Sequence, residues 1–154
     1  QAGIKGSTVY LLGSKPGIAA QTGEALEKQF PGLKVVGTHH GFFHDGSETE
    51  DALINDIQQK KPDILFVGLG VPKQEFFIHR LRPLVSRMVA VGVGGSFDVI
   101  SGTLPRAPIV MQRFALEWLF RLLKEPRRVN RILKIPWFVL AVIRAKWQDE
   151  EFVV

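Results

Sequence analysis

Apolar residues run along this chain in short bursts separated by glycine, proline and polar residues, and the spacing within them alternates between strand-like and helix-like. Thr8 to Leu12 (Thr-Val-Tyr-Leu-Leu) is a first apolar run that stops at Gly13-Ser14-Lys15-Pro16-Gly17. Ala19, Leu26 and Phe30 then recur at helical spacing from Ile18 onward, so the reading is strand, turn, helix. After the Pro31-Gly32 break, Lys34 to Gly37 predicts a second strand. Residues 49–60 predict a helix with Leu53, Ile54 and Ile57 inward. Asp63 to Val67 predicts a third strand, Pro72 to Val85 a third helix, and Met88 to Val93 a fourth strand. Strands alternating with helices of this length need crossover connections. The fold class is therefore α/β, a Rossmann-like, mostly parallel sheet with helices on both faces.

Beyond Gly102 the pattern changes. Pro105-Arg106-Ala107-Pro108 leads into a single predicted helix from Ile109 to Lys124, with Met111, Phe114, Ala115, Trp118, Leu119 and Leu122 as its apolar face. Pro126 interrupts it, a basic helix follows through Lys134, and Pro136 precedes an apolar stretch from Trp137 to Trp147. Two domains are expected: a core over 1–104 and a C-terminal helical, membrane-associating appendage over 105–154.

Charge sharpens that division. Residues 1–104 carry ten Lys/Arg and ten Asp/Glu, whereas residues 105–154 carry ten against five, so the net charge of +5 sits in the last third. Such a segment seeks an anionic partner: phosphate, phospholipid or nucleic acid. The run Ile135 to Ile143 is too short for a membrane span, which needs ~20 residues. Apolar residues beside Trp137, Arg144, Lys146 and Trp147 suit a segment lying in the interface of an anionic membrane, and this is expected over residues 126–147. Nucleic-acid stripes rarely need so many consecutive buried-type residues, so no nucleic acid is expected. The chain contains no cysteine, which excludes disulfides and thiolate metal sites. It opens at Gln1 with neither a signal nor a transit pattern, and the expectation is a fragment of a longer protein.

In parallel sheets ligands bind beyond the carboxyl ends of the strands, where every Gly-rich or His-rich stretch of this chain falls. Gly68-Leu69-Gly70-Val71-Pro72-Lys73-Gln74-Glu75 leaves a strand through two glycines and enters a helix with Pro72 in its first turn. Free amides there favour a diphosphate, with Lys73 and Gln74 pointing donors at the same place. A tight turn with a capped helix is the alternative. Gly92-Val93-Gly94-Gly95-Ser96-Phe97-Asp98 brings a carboxylate to the edge, as a ribose diol requires; the alternative is a loop whose Asp98 caps the next turn. Thr38-His39-His40-Gly41-Phe42-Phe43-His44-Asp45 is poorly spaced for a metal, because His39 and His40 would point to opposite sides of a strand. One His exposed to a phosphate or sugar hydroxyl is the better reading, and no cofactor or metal is expected. Arg121, Lys124, Arg128 and Arg131 fall on one helical face if the helix survives Pro126 and suit diphosphate oxygens; the alternative is a solvated basic face.

Taken in order, these stretches resemble the WecG/TagA/CpsF family of bacterial glycosyltransferases (glycosyltransferase family 26). The matching residues are Gly37-Thr38-His39-His40-Gly41, Gly68-Leu69-Gly70 with Pro72-Lys73-Gln74-Glu75, Gly92 to Asp98, Arg106-Ala107-Pro108, and Glu117-Trp118-Leu119 with Arg121 and Glu125-Pro126. The resemblance implies an inverting, metal-independent hexosyltransferase. It would move N-acetylmannosamine, its uronic acid or glucose from a UDP-sugar to an undecaprenyl-diphosphate-linked saccharide, for teichoic acid, enterobacterial common antigen or another surface polysaccharide. It implies a peripheral protein at the cytoplasmic face of the bacterial inner membrane and leaves open association into a homo-oligomer. Carried over, Gln74 resembles a pocket residue near the transferred sugar, Asp98 a nucleoside contact, and Arg121, Arg128 and Arg131 the arginines that hold diphosphates. Thr38, His39, Gly70, Lys73 and Gly95 complete the expected substrate-binding set. The general base belongs to a segment upstream of residue 1 in the resembled family. Asp45, Glu75 and Asp98 do not match it, and the catalytic residues are unknown. The alternatives are a non-catalytic UDP-binding fragment and a basic nucleic-acid-binding module.

Overall fold

A computed structural model describes residues 6–85, 87–114, 116–124 and Arg144. By its contacts the chain divides between Pro105 and Arg106 into two compact units.

The first unit is built on four parallel strands in the order β2-β1-β3-β4, with β1 at Thr8–Gly13, β2 at Lys34–His39, β3 at Ile64–Gly68 and β4 at Val89–Gly92. Alternation along the two central strands explains why both faces are covered. Val9 and Leu11 join Ile18, Ala19 and Phe97 in one buried cluster, while Tyr10, Leu12, Leu65 and Val67 join Leu53, Ile57, Phe77 and Leu81 in another. Helix α1 (Ile18–Gln29) and the short α4 (Ser96–Ile100) therefore lie on one face, and α2 (Glu48–Lys60) and α3 (Lys73–Leu81) on the other. A 3-10 turn at Arg82–Leu84 ends α3.

Local chemistry fixes the starts and stops. Ser47 accepts from the Glu50 amide at 3.3 Å and so caps α2, and Glu50 reaches back to the Gly46 amide at 2.5 Å, tying the first turn to the residue before the cap. Lys61 turns into the left-handed region ahead of Pro62 and ends that helix. At the amino ends of β1 and β3, Asp63 accepts from the Thr8 amide at 2.7 Å and from its hydroxyl at 2.8 Å. These two bonds hold the Asp63 carboxyl below the usual carboxylate range. The β1–β2 register shifts at Val9/Tyr10. Gly37 comes to lie opposite Tyr10, whose ring occupies the space a side chain at 37 would need. The buried Tyr10 hydroxyl donates to Asp56 at 2.7 Å; burial, and then this bond, raise the phenol well above its ordinary range.

The predicted strands and first three helices are present, each within a few residues of its expected bounds. Two differences stand out. Residues 96–100 form α4, a short helix the spacing did not predict. In the second unit, the helix expected over 109–124 is two helices, α5 (Ile109–Arg113) and α6 (Glu117–Lys124). The break occurs because the Leu116 amide donates to the Met111 carbonyl at 2.8 Å, five residues back, a wide turn that takes the ladder out of phase. The Leu116 carbonyl then starts α6 by accepting from Leu119 and Phe120. Phe114, expected on the apolar face, is exposed. The basic helix through Lys134 and the segment Trp137 to Trp147 lie outside the described residues, apart from Arg144. Among the described residues no helix is long and apolar enough to cross a membrane.

Candidate functional site

The strand order places a topological switch between β1 and β3. From β1 the chain turns to one face through α1 to reach β2, and from β3 to the other face through α3 to reach β4. Where the chain leaves neighbouring strands toward opposite faces, the carboxyl edge is the usual place for a ligand in an open α/β sheet.

Glycines let these loops close on one another. A side chain at Gly13 would lie 2.5 Å from the Gly68 carbonyl carbon, and one at Gly68 would lie 2.9 Å from the Gly94 carbonyl oxygen and 3.1 Å from the Phe97 ring. These glycines serve approach between strands rather than approach of a ligand to backbone. Gly94, at φ 53°, is different: nothing lies within 4 Å of where its side chain would be. Gly95 precedes α4, and Asp98 sits in that helix's first turn rather than capping it. The Asp98 Oδ1 accepts from the Ser14 hydroxyl at 2.5 Å, joining α4 to the turn after β1 at this edge.

Gln74 is buried, 6% exposed. Its side-chain oxygen accepts from the Gly94 amide at 3.2 Å, its nitrogen donates to Glu75 at 2.8 Å, and its amide occupies the space a side chain at Gly92 would need. Gln74 thus braces the β4 loop from below. Lys73 goes elsewhere. Its Nζ donates to the Phe43 carbonyl at 2.8 Å, lies 4.6 Å from the centre of the Phe43 ring and pairs with Asp45 at 3.8 Å. The two side chains were expected to converge; consecutive positions on a helix stand ~100° apart, and here each finds its own partner. Pro72 lies just before α3 rather than in its first turn, after a cis Val71-Pro72 bond. Gly70, at φ 76°, accepts from the Gln74 amide at 3.0 Å, and the Phe76 amide donates to Pro72 at 3.2 Å. The Gln74 amide is therefore one first-turn amide already used, whereas the Phe76 bond is the helix's own first rung.

The β2 loop supplies the third wall. Thr38 is exposed in register with Leu11, and His39 follows in register with Leu12 on the opposite face, against Phe43. His39 and His40 do not diverge as strand alternation predicted, because β2 ends at His39 and the chain turns; their ring centroids are 4.5 Å apart. The His39 Nδ1 donates to the His40 carbonyl at 2.7 Å. Among the described residues no three His, Asp or Glu side chains are grouped to hold a metal ion. The loop is tied down at both ends, where the Gly41 amide donates to the Ser14 carbonyl at 2.9 Å and buried Glu50 pairs with Arg80 at 2.5 Å. Hydrogen bonding to Glu50 comes first among the effects that raise the Arg80 guanidinium above its ordinary range.

The structure thus brings Gly70, Gln74, Gly95 and Asp98 to the loops after β3 and β4, while Thr38, His39 and Lys73 belong to the β2 side. Arg128, Arg131 and the side chain of Arg121 lie outside the described residues. Ser14 was not among the expected site residues. Its only sequence signal is its place in the turn after β1, because its partner Asp98 is 84 positions away.

Comparison with known proteins gives a consistent answer. The model of the glycosyl transferase WecG/TagA/CpsF family matches residues 1–151. An N-acetylglucosaminyldiphosphoundecaprenol N-acetyl-beta-D-mannosaminyltransferase of Bacillus spizizenii is 44% identical over 144 residues, covering 94% of this chain and 54% of the relative. A protein of the same description from Bacillus subtilis is 36% identical over 151 residues, covering 98% of this chain and 57% of the relative. The chain spans about half the length of the curated relatives it matches.

Proposed function

The chain belongs to the WecG/TagA/CpsF family of glycosyl transferases, and from that membership we propose that it forms the nucleotide-sugar-binding part of an inverting glycosyltransferase. The donor is a UDP-sugar, and the sugar moved is N-acetylmannosamine, with its uronic acid or glucose as variants. The acceptor is an undecaprenyl-diphosphate-linked saccharide, the chemistry named for both Bacillus relatives. The observation that carries this reading is the carboxyl edge beside the β1/β3 switch, where the Asp98 carboxylate is joined to Ser14 of the turn after β1 and the space beside Gly94 is open. A carboxylate at that edge suits a ribose diol. Arg121, Arg128 and Arg131 are proposed to hold diphosphate oxygens, offsetting charge as UDP departs. Residues 126–147 would rest on an anionic membrane at its cytoplasmic face.

Inverting transfer needs a base to take the acceptor hydroxyl proton as its oxygen attacks the anomeric carbon and UDP leaves. Four described carboxylates near the site are engaged: Asp45 by Lys73 and Arg80, Glu50 by Arg80 and Gly46, Glu75 by Gln74, and Asp98 by Ser14. On this reading the base comes from outside the described residues. The same observation favours a second reading, in which the chain by itself holds nucleotide without turning over. Calorimetry of the full chain with UDP tests the shared premise, and absence of binding would sink both readings. Transfer from UDP-N-acetylmannosamine to the lipid-linked acceptor then separates them.

A further inference from the structure

We infer that the outer side of β4 is the seat of a further strand, supplied by the part of the family polypeptide that the Bacillus relatives possess and this chain does not span. The inference rests on family membership alone and needs no nucleotide. A parallel strand directs its backbone groups alternately to one neighbour and to the other. The Val89 amide donates to the Asp63 carbonyl at 2.9 Å and the Val93 amide to the Val67 carbonyl at 2.8 Å, so the odd-numbered positions of β4 face β3. Ala90 and Gly92 therefore turn their amides and carbonyls outward, and among the described residues no strand lies beyond them.

Parallel sheets are ordinarily covered on both faces. On one face of β4, Ala90 packs against the cluster that holds Phe77 and Leu81 of α3, and the Gln74 amide group fills the space beside Gly92. On the other face, Val89 and Val91 lie in register with Ile64 and Phe66, but the helices there pack against β1, where Ile18, Ala19 and Phe97 meet Val9 and Leu11. Val89 and Val91 are left 60% and 39% exposed. The opposite edge of the sheet is finished differently. The Lys34 amide donates to the Ser7 carbonyl at 3.2 Å, which turns the Val35 amide outward, and the Glu27 carboxylate takes that amide at 2.9 Å. Lys34 adds an exposed charge to that strand. Devices of this kind keep an edge from recruiting a partner. The Val-Ala-Val-Gly of β4 carries no charge, and among the described residues no side chain takes its outer amides.

The length of the relatives names the occupant. This chain covers 54% and 57% of the two, so over two fifths of each relative is unmatched. A strand on the same polypeptide meets β4 at high effective concentration. A second copy would have only the two outward residues of a four-residue strand to grip. The incoming strand carries apolar side chains on the face shared with Val89 and Val91. Whichever way it runs, one of its ends lies at the carboxyl edge, beside Val93 and Gly94. If transfer proceeds as proposed above, that end is a route by which the base reaches the site.

Hydrogen exchange followed amide by amide tests this. In this chain the amides of Ala90 and Gly92 should exchange freely while those of Val89, Val91 and Val93 are protected. In the full-length Bacillus spizizenii relative, the amides aligned with 90 and 92 should be as slow as their neighbours, at high and low protein concentration alike. Val91→Lys should leave the melting temperature of this chain unchanged, whereas lysine at the aligned position should lower that of the relative. Free exchange at both positions in the relative, or an equal effect of lysine on both proteins, would overturn the proposal. So would protection that appears only at high concentration, the mark of a second copy, or protection already present in this chain. No nucleotide takes part, so a failure to bind UDP would sink the reading above and leave this result standing.

Discussion

At Gln74 the sequence pattern and the packing give different weight to the same residue. By its place in the motif it belongs to a pocket, yet its side-chain oxygen is spent on the Gly94 amide at 3.2 Å. A half-buried donor such as the Gly94 amide left without its acceptor costs at most the ~1–3 kcal/mol of a buried one. Gln74→Ala should therefore lower unfolding stability by up to that amount in a urea titration, besides any loss of UDP affinity. An alanine variant as stable as the parent would show that water replaces the oxygen. Glycine needs are legible in sequence only as glycines, since which backbone each must admit depends on the neighbouring strand. The Ser14 hydroxyl and the Lys73 ammonium were illegible for the same reason: their partners, Asp98 and the Phe43 carbonyl, are 84 and 30 positions away.

Elements were more legible than contacts. Period-two alternation along Val9 to Leu12 and Leu65 to Val67 requires two covered faces, and the clusters on either side of the sheet supply them. What escaped were features shorter than their own period. Helix α4 has five residues, too few for an apolar stripe to recur, and the interruption at 114–116 comes from one long-reaching backbone bond. At the amino ends of the strands, the opposite end of the sheet from the carboxyl edge, Asp63 ties β3 to β1 through Thr8. Its carboxyl is depressed in the folded chain, so its contribution is present above the ordinary value of 3.8 and is lost as pH falls through the folded value. Asp63→Asn should accordingly melt below the parent at neutral pH. The two melting curves should converge in acid, and a gap that persists below that range would assign the effect to shape rather than charge.

For the whole molecule, charge divides where the fold changes. The neutral first two thirds form the α/β unit, and the basic excess falls in residues 105–154. If that excess meets a membrane, the full chain should float with vesicles containing anionic lipid and remain behind with neutral ones. Salt at ~1 M, where the screening length is about 3 Å, should release it. Removing residues 126–154 should abolish flotation and, because Arg128 and Arg131 go with them, weaken UDP binding as well; UDP affinity that survives the truncation intact would take those arginines off the donor diphosphate. Equal flotation with neutral vesicles would reassign the apolar run from Ile135 to Ile143 as the sole anchor.

The loop after β2 is fastened through its main chain: the Gly41 amide to Ser14, the Phe43 carbonyl to Lys73, the Gly46 amide to Glu50. None of these attachments uses the side chains of Phe42 or His44, which are exposed. A lineage could exchange those two residues generation after generation without disturbing where the loop sits. The scaffold would then stay constant while the surface it presents is free to diversify, and the first substitutions to try in retuning what this edge accepts are at positions 42 and 44.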